Sequence, residues 1–360
     1  MVLLKNYAYG SILISHTYIL FKGIIMKDIF DECQFGEFKL KSRIIRTGGW
    51  ERDTEDGGFL MPKVFDRYEK MAGNEVGLIV SEMFALDPKD RFYPYCANMN
   101  YKGFIKDYKQ VTNLSHHFEV PILGQLAFFF FDDGTSQKAE PNDISLEGIR
   151  KLQAEVVMAA KKFSFAGFDG IQINMAHNFY LARFINPYFN QRTDDYGGST
   201  EKRMRIVVEI IKLIKKMVGC HVSFRINAVD GRKGGMTLDE SFKIAKILAE
   251  AGADSVQITA RTISFKFGET GDHAFLSYAD RMAKELDIPV ILGGTLRDMK
   301  TMNEILNETD IEFLSLAKPF VAQQDFLSEW KENGDGVSRC RACNNCYGKK
   351  ESNCFQFGDE

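Results

Sequence analysis

The sequence predicts an α/β fold, a (β/α)₈ TIM barrel followed by a short cysteine-rich tail. Three observations favour it. Eight short apolar runs alternate with longer amphipathic stretches, as a chain of βαβ units requires. Two of the amphipathic stretches end in Ala-Gly before the next run, at Gly167 and Gly252, which is typical of a helix C-cap. The alternative, a doubly wound open sheet, needs a glycine-rich fingerprint after its first strand, and residues 47–50 match that fingerprint poorly.

The predicted elements follow one another in strict alternation. The strands cover residues 43–47, 78–81, 122–126, 171–174, 222–227, 255–259, 290–293 and 313–317. The helices between them cover residues 62–72, 104–116, 146–166, 201–217, 238–251, 278–286 and 298–306. Either Ser199 or Thr200 can cap the fourth helix. Residues 128–142, a phenylalanine run followed by polar residues, predict a loop over the mouth of the barrel.

Bulk properties narrow the class of protein. A chain of 360 residues is long enough for one large barrel or two ordinary domains, and 45% hydrophobic residues are enough to fill a core. A net charge of -3 argues against a nucleic-acid partner or an electrostatic membrane anchor. Seven cysteines do not suggest a disulfide framework in a chain of this size, so we expect a reducing, cytoplasmic compartment.

The two ends of the chain differ from the part between them. We expect residues 1–25 to be a leader or disordered extension, with the natural start at Met26; an interfacial anchor is the alternative. We expect residues 26–335 to form the barrel and residues 336–360 to form the cysteine-rich tail.

One stretch carries the strongest functional signal. Asn174 and His177 lie where the fourth strand would end, and Arg-Thr-Asp-Asp-Tyr-Gly-Gly-Ser follows at residues 192–199. This stretch resembles the Old Yellow Enzyme family of FMN-dependent ene-reductases, whose members carry a His-x-x-His or His-x-x-Asn pair and an Arg-Thr-Asp-x-Tyr-Gly-Gly-Ser segment. The resemblance extends over about residues 30–324. It implies FMN, NAD(P)H as reductant and reduction of the C=C bond of an α,β-unsaturated carbonyl compound, with ping-pong kinetics.

The resemblance also implies a set of flavin-binding positions at strand ends. They are Gly48, Gly49, Met83, Gln125, Arg225, Gly293, Gly294, Thr295, Ala317 and Lys318. Gln125 and Arg225 would bind the flavin ring, and the glycines after the seventh strand would bind its phosphate. The family has Gly-Arg where this chain has Ala317-Lys318, so the phosphate would meet a lysine. The simpler alternative for Gly293 and Gly294 is a turn without a ligand. The simpler alternative for Arg225 is an ion pair with Glu82.

Asn174 and His177 would donate hydrogen bonds to the substrate carbonyl, with asparagine replacing the family's first histidine. The family commonly has a tyrosine proton donor two residues after the pair, where this chain has Phe179. Either the neighbouring Tyr180 or water would then supply the proton. Trp50 occupies a position where some relatives have a redox-tuning Cys or Thr. Its indole could pack against the flavin but could not tune the potential as a thiol does, and core packing is the alternative.

The tail contains Cys340, Cys343, Cys346 and Cys354, a spacing typical of metal ligands. It resembles the [4Fe–4S] segment of 2,4-dienoyl-CoA reductase and trimethylamine dehydrogenase, with a shorter final spacing. Three states of these four cysteines remain open: ligands of a [4Fe–4S] cluster, ligands of a structural zinc ion, or free thiols. A rival function is therefore an iron–sulfur flavoenzyme that takes electrons through this tail. A non-redox phosphosugar lyase or isomerase would need a catalytic lysine or paired carboxylates, and only Glu82 and Lys318 are candidates.

The expected partners follow from these interpretations. They are a small-molecule substrate and no nucleic acid or membrane. A homo-oligomer is compatible with the resemblance, although no residue decides it.

Overall fold

Eight parallel strands close into a barrel, which confirms the predicted fold class. The computed structural model describes residues 26–49, 51–52, 54–55, 58–90, 95–134, 139–259, 276–294, 296–347 and 354. The expected leader, Trp50 and Thr295 lie outside these residues. The barrel strands are β3 Ile44–Arg46, β4 Leu78–Phe84, β5 Ile122–Leu126, β6 Gly170–Met175, β7 His221–Asn227, β8 Ser255–Thr259, β9 Val290–Gly293 and β10 Phe313–Leu316.

Helices pack around the outside of the barrel, and each predicted helix overlaps an observed one. The observed ranges are Pro62–Gly73, Phe104–His117, Leu146–Phe165, Thr200–Met217, Leu238–Ala251, Leu276–Glu285 and Met299–Glu308. Ser199 rather than Thr200 caps the fourth of them, because its side chain accepts from the backbone N–H of Lys202. Gly252 adopts a left-handed conformation with φ of 97°, as the C-cap prediction requires. The main apolar core lies between these helices and the barrel.

A short antiparallel hairpin covers the N-terminal end of the barrel and was not predicted. It consists of β1 Cys33–Phe35 and β2 Phe38–Leu40. Phe35 and Leu40 pack against the first residues of the barrel strands and form a second apolar cluster there. The hairpin therefore closes the end of the barrel opposite the mouth.

Three short helices were also not predicted: Tyr180–Ile185, Lys318–Ala322 and Phe326–Asn333. Within the described residues, no helix has the length and apolar character needed to cross a bilayer.

Candidate active site

The predicted ring-binding residues face the lumen at the C-terminal ends of the strands. Asn174 lies opposite Arg225 in the register of β6 and β7, and Gln125 lies opposite Gln172 in that of β5 and β6. Side chains two residues apart on a strand share a face, so Gln172 and Asn174 both point inwards. The barrel thus brings Gln125, Asn174 and Arg225 together, as the sequence predicts.

A hydrogen-bonded layer of amides and hydroxyls forms the floor of this site. The Gln172 amide accepts from Gln125 Nε2 at 2.6 Å and donates to Gln257 Oε1 at 3.2 Å. Gln257 in turn bonds the hydroxyls of Thr47 and Ser315, both at 2.8 Å. These side chains are buried and hold one another in fixed orientations. The floor therefore fixes the Gln125 amide before any ligand arrives.

Asn174 is held by contacts on both sides of its amide. Its Nδ2 lies 3.3 Å from Gln125 Oε1 and 3.8 Å from Met83 Sδ, while its Oδ1 accepts from the backbone N–H of Ala176 at 3.0 Å. The side chain is 2% exposed. Asn174 thus ties the end of β6 to the turn that follows.

That turn places His177 in an unusual backbone conformation. His177 and Asn178 both have positive φ, 55° and 62°, which costs side-chain-bearing residues roughly 1–3 kcal/mol each. The N–H of His177 donates to Asn227 Oδ1 at 3.3 Å, which anchors the turn to the end of β7. Strain of this kind clusters at functional sites. It supports a positioning role for this turn.

Arg225 reaches across the lumen. One terminal nitrogen donates to the carbonyl oxygen of Gly48 at 3.1 Å, and the other lies 3.4 Å from Thr259 Oγ1. Glu82, the proposed alternative partner, instead accepts from the hydroxyl of Tyr108 at 2.8 Å on the helix side of β4. The guanidinium therefore lies at the lumen end of β7, where it could donate to the electron-rich edge of a flavin.

The glycines at the mouth leave room for a ligand. A Cβ added to Gly49 or Gly294 would meet no heavy atom within 4 Å, whereas one added to Gly48 would lie 2.4 Å from the carbonyl oxygen of Ser81. Gly293, at the end of β9, is also tightly packed. Gly48 thus serves close packing, and Gly49 and Gly294 border open space. These features fit a flavin mononucleotide.

Lys318 begins a short helix directly after Ala317, at the end of β10. Its ammonium donates to Asn344 Oδ1 at 2.8 Å, so it contacts the tail. The lysine that the sequence predicts at the phosphate therefore also contacts the tail.

The predicted proton donor lies away from the mouth. Tyr180 is 0% exposed and packs against Phe128, with ring centroids 5.8 Å apart, in the main core. Burial raises the pKa of its hydroxyl well above the usual value. Phe179 instead joins an apolar cluster with Met83, and that cluster borders Asn174. Because its side chain is buried in the main core, Tyr180 does not face Asn174 in the lumen.

The four tail cysteines line one pocket, together with Lys318 and Asn344. The N–H of Ala342 lies 3.5 Å from Cys340 Sγ, and Ala342 and Asn344 have positive φ of 53° and 62°. Turns of this kind aim backbone N–H groups at anions and iron–sulfur centres. The barrel contributes Arg297, which donates to the carbonyl oxygen of Cys340 at 3.3 Å, and Arg52, which donates to that of Cys346 at 3.2 Å.

The four tail sulfurs are not drawn together as the ligands of one metal ion would be. Among the described residues, the group of three or more metal-binding side chains with ligand atoms within 4.8 Å of one another is Glu37, His221 and Asp254, beside the hairpin. No three of the tail sulfurs are that close. Zinc–sulfur bonds of about 2.3 Å would put tetrahedral sulfurs about 3.8 Å apart.

Sequence reasoning missed several residues of the site. They are Gln172 and Gln257 in the floor, Asn227 under the turn, and Asp90, which binds the loop after β5. Gln172 could have been found, because it precedes Asn174 by two residues on one strand and so shares its face.

Comparison with known proteins points to flavin oxidoreductases in both sequence and fold. Residues 130–335 match the NADH:flavin oxidoreductase / NADH oxidase family. An NADH oxidase of Thermoanaerobacter brockii is 26% identical over 345 residues, which cover 88% of this chain and 53% of that protein. An NADPH dehydrogenase of Bacillus subtilis is 27% identical over 320 residues, 82% of this chain and 94% of that protein. This chain thus spans about half the length of the first relative.

Among solved structures, an old yellow enzyme homologue from Zymomonas mobilis superposes with a TM-score of 0.76. It is 19% identical, and the match covers 88% of this chain and 95% of that one. At this level of identity the match shows a shared fold.

Proposed function

Because this chain belongs to the NADH:flavin oxidoreductase / NADH oxidase family, we propose that it is an FMN-dependent NAD(P)H oxidoreductase that reduces the C=C bond of α,β-unsaturated carbonyl compounds. When bound, FMN supplies the chemistry that carries a hydride from the nicotinamide to the alkene. Gln125 and Arg225 would bind its ring, and Gly49, Gly294 and Lys318 would surround the rest. The open space beside the two glycines supports this arrangement.

The convergence of Gln125, Asn174 and Arg225 at one end of the lumen carries this proposal. Asn174 and His177 would donate hydrogen bonds to the carbonyl oxygen of the substrate and stabilise the negative charge that develops there. Asn174 ends β6 and His177 lies on the turn that follows, and the floor fixes the amide of Asn174 through Gln125. Preorganised donors of this kind need no rearrangement during the reaction.

We propose water as the source of the second proton. The residue two positions after the pair is Phe179, which has no proton to give, and the side chain of Tyr180 lies in the main core. Replacing Tyr180 with phenylalanine should therefore leave the rate of alkene reduction within about twofold, because a general acid normally contributes at least about 10²-fold.

The test uses the two half-reactions of the purified, FMN-loaded protein. NADH or NADPH should bleach its yellow colour anaerobically, and 2-cyclohexen-1-one should restore it, with ping-pong kinetics over both substrates. Asn174→Ala and His177→Ala should slow the second step by about 10²-fold and the first step much less. His117→Ala, at an exposed helix end, is the matched control.

Two results would count against the proposal. A colourless protein that gains no thermal stability from added FMN would exclude the cofactor. Reduced protein that stays bleached with every enone would exclude alkene reduction.

We also propose that the four tail cysteines hold an iron–sulfur cluster. The shared pocket, the spacing of the four cysteines along the chain and the N–H contact to Cys340 Sγ support this assignment. Anaerobically purified protein should then contain about four iron and four sulfide per chain, and Cys343→Ser should lose them. Stoichiometric zinc, or neither metal, would contradict this assignment.

The rival function, an iron–sulfur flavoenzyme of the dienoyl-CoA reductase or amine dehydrogenase type, is not favoured by these comparisons. A reducing, cytoplasmic location remains our proposal. It is supported by the seven cysteines, all described, which form no disulfide.

A further inference from the structure

A small apolar cluster borders the candidate carbonyl-binding turn and is separate from the main core. It consists of Met83, Ala127 and Phe179, with Phe129 packed against it. Met83 touches Asn174, and Phe179 follows His177 by two residues. A substrate held by Asn174 and His177 would therefore have this cluster at its side.

Two aromatic rings form the main part of that surface. The rings of Phe129 and Phe179 have centroids 4.4 Å apart and planes inclined by 38°. Phe179 is 3% exposed, whereas Phe129 is half-buried and so presents the accessible ring. Aromatic pairs gain about 0.5–1.5 kcal/mol beyond the burial of their surface. The cluster thus offers more to an aromatic ring than to an alkyl group of equal size.

The backbone that carries Phe129 is fixed from three sides. The buried carboxylate of Asp90, 6% exposed, accepts from the N–H of Phe129 at 2.8 Å and from that of Phe130 at 2.7 Å. Arg183 donates to the carbonyl oxygen of Phe129 at 2.6 Å. Phe128 accepts from the N–H of Tyr180 at 2.8 Å, which links this loop to the one that carries Phe179. Because two backbone N–H groups donate to this one buried carboxyl group, the ring has a defined position before a ligand binds.

We propose that the alkene substrate carries an aromatic ring conjugated to its double bond, that Phe129 and Phe179 bind this ring, and that Asp90 is a positioning residue for Phe129. The proposal deepens the function proposed above and rests on it. It names the substrate class through the shape and chemistry of one wall of the site, and it assigns Asp90 a role in specificity.

The test compares three ketones that share one enone group. They are 3-penten-2-one, 4-cyclohexyl-3-buten-2-one and 4-phenyl-3-buten-2-one, which place a methyl, a saturated ring or an aromatic ring on the alkene. Dissociation constants for the oxidised, FMN-loaded protein are measured by calorimetry, which needs no turnover. The phenyl ketone should bind at least about tenfold more tightly than the methyl ketone, and more tightly than the cyclohexyl ketone.

Variants assign the preference to residues. Phe129→Ala and Phe179→Ala should reduce the phenyl-to-methyl ratio about tenfold, and Phe129→Leu should abolish the distinction between phenyl and cyclohexyl. Asp90→Asn keeps the size of the side chain but turns an amide N–H₂ towards one of the two N–H groups. It should raise KM for the phenyl ketone more than KM for 3-penten-2-one. Phe165→Ala, at a site 67% exposed, is the control and should change none of these values.

The outcomes separate this inference from the proposed function. Equal binding of the three ketones would overturn the aromatic site. So would an unchanged phenyl-to-methyl ratio in folded Phe179→Ala protein together with an unchanged phenyl-to-cyclohexyl ratio in folded Phe129→Leu protein. Tight, Phe129-dependent binding of the phenyl ketone without reoxidation of reduced protein would support the site and refute alkene reduction. An unchanged KM for the phenyl ketone in Asp90→Asn would show that Asp90 does not position Phe129 for binding.

Discussion

Single residues at the barrel mouth divide into those that pack the protein and those that leave space for a ligand. Gly48 and Gly294 illustrate the difference, and neither has positive φ, so space rather than conformation distinguishes them. At Gly48 a methyl group would press on the backbone oxygen of Ser81, which cannot move without disturbing β4. At Gly294 it would enter open space.

Alanine at these two positions should therefore have opposite effects. Gly48→Ala should lower the free energy of unfolding of the FMN-free protein by about 1–3 kcal/mol, because it overpacks a rigid site. Gly294→Ala should change that free energy by less than about 0.5 kcal/mol but weaken FMN binding at least tenfold. Urea unfolding and FMN fluorescence titration measure the two effects. Normal FMN affinity in Gly294→Ala would place the phosphate elsewhere.

Individual residues also show how much of the candidate site could be predicted from the sequence. Gln125, Asn174 and Arg225 were predictable because each ends a recognisable strand, and strand ends of a barrel converge. Tyr180 was predicted from its position beside Phe179, and the structure places these two side chains in different apolar clusters. Asp90 could not be found, because its partners are backbone groups 39 and 40 residues away.

Contacts between elements outside the mouth maintain the barrel, and one of them involves a histidine whose pKa is raised by its partner. His116, in the last turn of Phe104–His117, bonds the carboxylate of Asp169 at 2.9 Å, and Asp169 also accepts from the N–H of Ile122 at 2.7 Å. The helix is thus attached to the starts of β5 and β6. The hydrogen bond to Asp169 raises the pKa of His116 above its usual 6.5.

This contact should make stability depend on pH in a defined direction. A group whose pKa is raised by folding stabilises the folded state fully below its unfolded pKa, and the effect is lost as pH rises through the folded pKa. His116→Gln should therefore be less stable than the natural protein at pH 6, and the difference should shrink towards pH 9. The side chains are partly exposed, so the difference should stay below about 1 kcal/mol. Urea unfolding across this range measures it.

Asp169→Asn provides the control for this element. In that background His116→Gln should show no such narrowing with pH. A difference that grows with pH would contradict the assignment.

Element prediction succeeded where a stretch had clear helical periodicity or continuous apolar character, and it failed where a stretch had neither. The helix Leu146–Phe165 and the strand Val290–Gly293 have clear periodicity or continuous apolar character. The strands of the hairpin have three residues each, too few to show alternation, and their position depends on contacts with His221 and Phe313 far along the chain. Such elements are set by tertiary packing rather than by local sequence.

The whole barrel separates stability from function along its axis. The mouth collects open space, strained turns and polar side chains, whereas the opposite end is closed by the hairpin. Phe35 is 0% exposed and packs edge-on against Phe313, with centroids 4.9 Å apart, and beside His221 at 5.4 Å. Its cluster includes residues of β3, β4, β5, β9 and β10, which contain the strand pair that closes the barrel.

Removing this ring should therefore weaken closure without changing the mouth. Phe35→Ala should lower the free energy of unfolding by about 3–5 kcal/mol, the usual cost of deleting a buried phenylalanine. Phe165→Ala, at an exposed position, should change it by less than about 0.5 kcal/mol. FMN affinity, measured where each variant is fully folded, should match that of the natural protein, since Gln125, Arg225 and Gly294 all lie at the other end. A decrease in the free energy of unfolding below about 1 kcal/mol would show that the Phe35 ring is not needed for closure. A parallel loss of FMN affinity would show that the two ends of the barrel are coupled.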